Sequence, residues 1–476
     1  MMNSKPGEPP LKEGSRVDSA TMPALMLSLS TQHAVSEGLS APLGSSKAPS
    51  SEAITALMPS LGRAEDALIA LESSGTVGFR SMDTVGWELE KAQEIAAKLR
   101  EDTDVLLVAG IGGSALGASA LDAALGATCD DPHRVVVLDS VDPFHVARTL
   151  EGLDPSRTAI AVISKSGGTI ETAALFRILL PWVRRGAGSE WARRLVLVTD
   201  RVRGALRPLV DAWGVASLPV PDDVGGRFSV LTAVGILPAA YRGLDVTSLI
   251  EGARAMSEVV RVRSVEDNPA WAFAAVHDVW WPRATVSVLL TYSERLALLG
   301  AWFMQLWGES LGKPLPQGGA YGWTPSCARG PADQHSQLQL WQEGPADRIV
   351  TVVRVEDHGE EVLVPALEGP EDGVAPYLST VSLSDLLDAE RRGTSAALVS
   401  AGRPVLSLTL PRIDAHVIGQ LVMFLETATA ITGLLRGINP FDQPGVEAGK
   451  QYAYGLLGRE GFGDRAAEVD KLIGAK

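Results

Sequence analysis

Six short segments of this 476-residue chain carry side chains whose types and spacing could do chemistry. The first is Gly110-Ile-Gly-Gly-Ser-Ala-Leu-Gly117. Glycines let a backbone approach a ligand closely, and the N-terminus of a following helix offers unpaired N–H groups to an anion, which makes Gly113 and Ser114 candidates for anion contact. The segment lacks both the G-x-G-x-x-G spacing and the P-loop lysine, so a plain tight turn stays open as the alternative. The second is Ser164-Lys-Ser-Gly-Gly-Thr-Ile-Glu-Thr172. The hydroxyls of Ser164, Ser166 and Thr169, the Lys165 ammonium and two glycines can wrap a phosphate dianion, with a helix dipole adding positive potential. The alternative there is an ordinary cap at Thr169 with Lys165 in solvent.

In Gly225-Gly-Arg-Phe-Ser229, Arg227 stands ahead of the apolar stretch Val230 to Tyr241. A guanidinium at the mouth of an apolar region recognises anions strongly, although composition alone favours a surface arginine at a turn. A helix expected over Ser293 to Ser310 is apolar through Leu298, Trp302 and Leu306, with Glu309 in its last turn and Gly312 as C-cap. A carboxylate facing the negative end of the macrodipole gains proton affinity, which suits a general base; a solvated Glu is the commoner case. His335, in Asp333-Gln-His-Ser-Gln-Leu-Gln-Leu340, has the most polar surroundings of the seven histidines, but a lone His is more often structural. Last, Asn439-Pro-Phe-Asp-Gln-Pro-Gly-Val-Glu-Ala-Gly-Lys450 is a loop entering a helix. Glu447 and Lys450 at i, i+3 fit a surface ion pair, or Gln443 and Lys450 share a face.

The elements that must position these groups alternate short apolar strands with helix-length segments. Strands are expected at Val105 to Ala109, Arg134 to Asp139, Ala159 to Ile163 and Arg194 to Asp200. A second cycle starts with a helix capped by Asn268 with Pro269 in its first turn, followed by strands at Thr285 to Tyr292, Asp347 to Val355 and Pro404 to Leu410. Continuous apolar strands between helices mean parallel sheets covered on both faces, so the fold class is α/β, two tandem sandwiches with a C-terminal helical segment. Ligands in such sheets collect beyond the carboxyl ends of the strands. The expected organisation is a poorly ordered or extended N-terminal arm over 1–50, a first domain over 51–245, a second over 246–435, and a C-terminal loop and helix over 436–476 that completes the site.

The charge balance, 42 basic against 57 acidic side chains for a net −15, argues against nucleic acid or an anionic membrane as partner. The two cysteines, Cys129 and Cys327, supply no disulfide framework and no zinc spacing, so a reducing compartment is expected. The N-terminal segment mixes acids among its bases and reads as no export signal, leaving a cytoplasmic, soluble protein as the expectation.

Taken in order, the six segments resemble the glucose-6-phosphate isomerase (phosphoglucose isomerase) family in its compact bacterial form. The resemblance runs from about residue 80 to residue 455. It is carried by Gly225-Gly-Arg-Phe-Ser, Glu309-Ser-x-Gly-Lys313, Gln334-His-Ser and Asn439-Pro-Phe-Asp-Gln-Pro-Gly-Val-Glu. It implies two sugar-isomerase (SIS) domains and the interconversion of glucose 6-phosphate and fructose 6-phosphate through a cis-enediol, with no cofactor and no metal. Ser114, Ser164, Ser166, Thr169 and the backbone at Gly113 would hold the sugar phosphate, and Lys165 would add charge. His335 and Lys450 would open the hexose ring, Glu309 would move a proton between carbon 2 and carbon 1, Arg227 would stabilise the enediolate, and Gln443 would position the sugar. The family's corresponding His arrives from a neighbouring subunit, so a homodimer is implied. Leu311 replaces a frequent Asn of the family, and broader specificity including mannose 6-phosphate stays open. A non-catalytic sugar-phosphate sensor would need an output module, and an aminosugar synthase an N-terminal nucleophilic cysteine; neither is recognised.

Overall fold

The computed structural model describes residues 27–38, 48–81 and 85–474. The strands among these described residues are β1 (Ser28–Ser30), β2 (Val105–Ala109), β3 (Arg134–Leu138), β4 (Thr158–Ile163), β5 (Leu195–Thr199), β6 (Ala216–Pro219), β7 (Val286–Thr291), β8 (Lys313–Pro314), β9 (Ala320–Tyr321), β10 (Thr324–Arg329), β11 (Arg348–Asp357) and β12 (Val405–Arg412). Strands β2 and β4 are buried along their whole length, as continuous apolar runs require when helices cover both faces.

The first sheet has the order β3-β2-β4-β5-β6, and every pairing in it is parallel. The chain leaves β2 toward one edge and returns past it to β4, so the winding reverses between β2 and β4. Ligands of doubly wound sheets bind in the crevice at such a reversal. The second sheet has the order β1-β12-β11-β7-β10, parallel except for β1, and its winding reverses between β7 and β11. Strands β8 and β9 form a separate short antiparallel pair.

The N-terminal arm expected over 1–50 falls mostly outside the described residues. Of its described residues, 27–38 and 48–50, the first stretch pairs β1 antiparallel to β12, buries Leu27 and Ala34, and accepts a hydrogen bond from the Trp280 indole at the Ala34 carbonyl, 2.8 Å.

Among the described residues one helix, Ala415–Leu435, is long and apolar enough to cross a membrane, but 94% of its apolar window is buried inside the protein. It packs most closely on the helix Val246–Val259. The approach depends on missing side chains: a Cβ on Gly252 would lie 1.9 Å from the His416 carbonyl oxygen, and one on Gly419 would lie 1.9 Å from that of Leu249.

The expected helix over 293–310 is a short 3-10 turn followed by an α-helix, Ala297–Leu311. Its buried stripe is Leu299, Trp302, Phe303 and Leu306, whereas Leu298 is 44% exposed. A strict four-residue spacing drifts around a 3.6-residue helix, which rotates Leu298 out of the face that Trp302 and Leu306 share.

Candidate functional site

Two loops leave the first sheet at its reversal point, one after β2 and one after β4. After β2 the chain makes a 3-10 turn, Gly112–Ser114, and then the helix Leu116–Leu125. A Cβ on Gly113 would lie 2.2 Å from the carbonyl carbon and oxygen of Gly226. Only glycine there lets this turn rest backbone to backbone on the Gly225–Ser229 segment that carries Arg227, so the first and third segments are a single construction.

After β4, Ser164 accepts a hydrogen bond from the Gly167 N–H (3.1 Å) and Ser166 accepts one from the Gly168 N–H (3.1 Å). Each hydroxyl keeps its own proton to give to an anion. Thr169 sits at the N-cap of the helix Ile170–Ala187 but makes no cap hydrogen bond, so the capping alternative fails and its side chain turns to the cavity.

Lys165 is arranged differently from the expectation. Its ammonium donates to the carbonyls of Pro221 (2.9 Å), Asp222 (2.8 Å) and Val224 (3.2 Å). Burial pulls its proton affinity down, opposed by Asp222, Asp200 and Asp223. It adds positive potential at the cavity wall, but its donors are spent on the loop after β6. It ties that loop to the phosphate segment instead of reaching out as a free donor.

Arg227 is buried, not the surface arginine that composition favours, with 3% exposure. Its Nε donates to Ser310 Oγ (2.7 Å), its Nη2 to the carbonyls of Pro440 (2.6 Å) and Asp442 (2.9 Å), and its Nη1 to Gln443 Oε1 (3.0 Å). The same Nη1 lies 3.3 Å from Glu309 Oε1. Burial lowers its proton affinity, partly offset by the carboxylates of Glu309 and Asp442. A guanidinium with every face engaged keeps one geometry, as an oxyanion partner must.

Glu309 stands in the last turn of the Ala297–Leu311 helix, half-buried, with its other oxygen accepting from Gln305 Nε2 (3.1 Å). Lys450 is half-exposed and paired with Glu447 at 2.8 Å, so the surface ion pair expected at i, i+3 is present while Lys450 also faces the cavity.

These groups surround a cavity of 840 Å³. All of the expected site residues except His335 line it: Gly113, Ser114, Ser164, Lys165, Ser166, Thr169, Arg227, Glu309, Gln443 and Lys450. His335 is exposed on a 3-10 turn, Ala332–His335, just beyond the edge strand β10, and does not reach the cavity of its own chain. Gln305, Asp200 and Arg203 line it as well and do not stand out in the sequence. Gln305 is within reach of the same logic, being one helical turn before Glu309. Its Oε1 is buried with no hydrogen-bond partner, while its Nε2 donates to Glu309. Asp200 directly follows β5 and Arg203 lies three residues further on, in the loop where the strand-end rule points.

Fold and site together define a doubly wound α/β protein of the sugar-isomerase (SIS) fold, with a set of glycines and hydroxyls facing Glu309 and Arg227 in one cavity. The family model described as phosphoglucose isomerase matches residues 88–470. The glucose-6-phosphate isomerase of Carboxydothermus hydrogenoformans is 36% identical over 422 residues, covering 85% of this chain and 91% of that one. That of Thermus thermophilus is 42% identical over 347 residues, covering 73% and 82%. Among solved structures, a hypothetical protein of Thermus thermophilus superposes with a TM-score of 0.83 at 36% identity, over 91% of this chain and all of that one. A glucose-6-phosphate isomerase of Chlamydia trachomatis, 24% identical, shares the fold with a TM-score of 0.70 over 81% and 76%. The chain belongs to the phosphoglucose isomerase family.

Proposed function

We propose that the protein interconverts glucose 6-phosphate and fructose 6-phosphate, an aldose–ketose isomerisation that serves glycolysis and gluconeogenesis. The observation that carries this reading is the convergence, in one cavity, of a hydroxyl-and-glycine cradle with a carboxylate 3.3 Å from a fully engaged guanidinium. The phosphate sits among Ser114, Ser164, Ser166 and Thr169 at the turn carrying Gly113. Lys450 and His335 exchange protons with the ring oxygen and the carbon-1 hydroxyl to open the ring. Glu309 then takes the proton from carbon 2 and returns it to carbon 1. Negative charge develops on the enediolate oxygens, and the Arg227 guanidinium, held in place with its Nη1 3.3 Å from Glu309 Oε1, stabilises that charge electrostatically. Gln443, and with it Gln305, fixes the sugar hydroxyls. A positioned acid–base group contributes about 10²–10⁴-fold and one fixed oxyanion donor about 10²–10³-fold. Both devices are built from this chain's own residues. A coupled assay on purified protein should show turnover in both directions; folded protein that turns over neither sugar phosphate overturns the reading.

His335 reaches the site from a second copy of the chain, so the working unit is a homodimer. Its exposure beyond an edge strand and its absence from its own cavity support this. Chains carrying His335→Ala and chains carrying Glu309→Gln, each nearly inactive alone, should regain activity when dissociated and mixed, because a hybrid holds one intact site. No recovery on mixing would place the two residues in the same chain's site. The division of labour follows residues 51–245 and 246–435, with 436–476 closing the cavity through Gln443 and Lys450. A phosphorylated hexose as substrate makes the cytoplasm the working compartment.

A further inference from the structure

We infer that Lys313 is a positioning residue for the proton transfer, pinning the helix that carries Glu309 to the loop that carries Gln443 and the acceptors of Arg227. This inference rests on the isomerase reading above and deepens it. Lys313 does not line the cavity. It lies four residues after Glu309, just past the end of the Ala297–Leu311 helix, and its side chain is 7% exposed.

The three N–H groups of the ammonium lie within hydrogen-bond distance of four carbonyls, at least one proton being shared: Glu309 (3.2 Å), Ser310 (2.9 Å), Asn439 (3.0 Å) and Asp442 (2.9 Å). It also lies 3.4 Å from the Asp442 carboxylate. The first two carbonyls belong to the set that every α-helix leaves without intrahelical partners at its C-terminus. The other two belong to the loop that runs into Gln443. A single point charge therefore joins the end of one element to the turn of another, 126 or more residues along the chain.

The Asp442 carbonyl has two cationic donors, Lys313 Nζ at 2.9 Å and Arg227 Nη2 at 2.9 Å. Two like charges on one acceptor repel. Burial first, and the neighbouring guanidinium second, pull the ammonium's proton affinity down, while Asp442 and Glu309 support it. Such an arrangement is costly for stability alone, because a buried charge must be matched by acceptors. What it secures is register: the Glu309 carboxylate, the Arg227 fork and the Gln443 amide are held by one interlocked set of bonds. A lysine suits the position, since its compact tetrahedral ammonium fits carbonyls converging from several directions, which a planar guanidinium does not. The polar partners of Lys313 are Glu309, Ser310, Asn439 and Asp442, none of them on the loops after β2 and β4 that build the phosphate cradle.

The test is Lys313→Met, which keeps the length of the side chain and removes its donors. A misplacement of about 1 Å in a reacting geometry costs on the order of 10²-fold in rate. Lys313→Met should therefore lower kcat by about 10- to 100-fold while KM for glucose 6-phosphate stays within about 3-fold. Affinity for a hexitol 6-phosphate, which has the phosphate but no carbonyl, should be unchanged. Wild-type kcat in the folded variant, or equal losses in kcat and in hexitol phosphate affinity, would overturn the inference. If Lys313→Met does not fold, Asp442→Ala decides: Asp442 is half-exposed, and its loss removes one leg of the anchor. It should lower kcat by about 3- to 10-fold with KM held, and an unchanged kcat overturns the inference. A wild-type protein without turnover would instead overturn the proposed function, so the two failures are distinguishable.

Discussion

The parallel strands of the two sheets are wound in the same way: β3-β2-β4-β5 in the first, β10-β7-β11-β12 in the second. Each sheet therefore has a reversal point, β2 against β4 and β7 against β11, but what stands there differs. At the first, glycines and hydroxyls border an 840 Å³ cavity. At the second, Tyr292, His358 and the acids Glu356, Asp385 and Asp388 close the crevice to 140 Å³. The cations there are already paired: Arg354 with Glu356 at 2.9 Å and Asp388 at 3.3 Å, and Arg391 with Asp388 at 2.7 Å. Topology places a crevice, while residue size and charge decide whether an anion can use it. The second sheet contributes instead through the helix after β7, whose last turn carries Glu309 to the first sheet's cavity. In the proposed mechanism, binding by backbone and hydroxyls is thus separated from chemistry by charged side chains.

That division can be broken at several points. Removing the base has the largest expected effect: Glu309→Gln should lower kcat by about 10³-fold with KM within about 3-fold, and wild-type turnover would take Glu309 out of the base role. Arg227→Lys keeps a charge but loses the fork that serves Ser310, Pro440, Asp442 and Gln443 together. A drop in kcat of about 10²-fold is expected, with a parallel loss of affinity for a hydroxamate mimic of the enediolate. On the binding side, Thr169→Val should raise KM about tenfold and leave kcat within about twofold, as expected for losing one hydrogen bond to a charged ligand. The matching change at the second reversal point, Ser384→Ala, should alter neither constant; a shift in KM there would mean that both crevices hold substrate.

The smallest effect concerns the surroundings of the first sheet. Burial raises the Glu88 carboxyl to about 7, with Asp223 adding to the rise and Arg201 and the Ala233 N–H opposing it. The folded protein then binds a proton between the ordinary carboxyl range and about 7 that the unfolded chain does not. Stability contributed by the neutral form is present at the acid end of that window and lost as pH rises through it. Glu88→Gln should raise Tm by about 1–2 °C at pH 8 and leave it unchanged at pH 4, read by thermal melts; the reverse pH order would contradict the assignment.

Much of this is readable from residue types. Apolar β-branched runs locate β2 to β5, β7, β11 and β12, and the loops after β2 and β4 stand out by glycine and hydroxyl density. Strand β10 escapes sequence reading because it begins Thr324-Pro325-Ser326, polar and proline-bearing. It survives as an edge strand, where a missing N–H costs no ladder bond. Strand β6, Ala216–Pro219, is another short edge strand with little pattern to show. The lysines are the harder cases. Sequence shows that Lys165 lies beside two glycines and that Lys313 lies four residues after Glu309. It does not show that their ammonium groups turn toward carbonyls 56 and 126 residues away, because that depends on tertiary closure. His335 is marked by its polar neighbours, and the structure leaves it exposed just beyond an edge strand, outside the cavity that Glu309 lines.

The central claim is that a carboxylate on the second unit carries a proton between two carbons of a sugar held by the first. Isomerisation of glucose 6-phosphate deuterated at carbon 2, followed by NMR of the fructose 6-phosphate formed, tests it most directly. Proton transfer through Glu309 predicts that part of the label appears at carbon 1 and the rest is lost to water, with both outcomes abolished in Glu309→Gln. Complete retention of deuterium in the product would mean a direct hydride shift and would contradict the account.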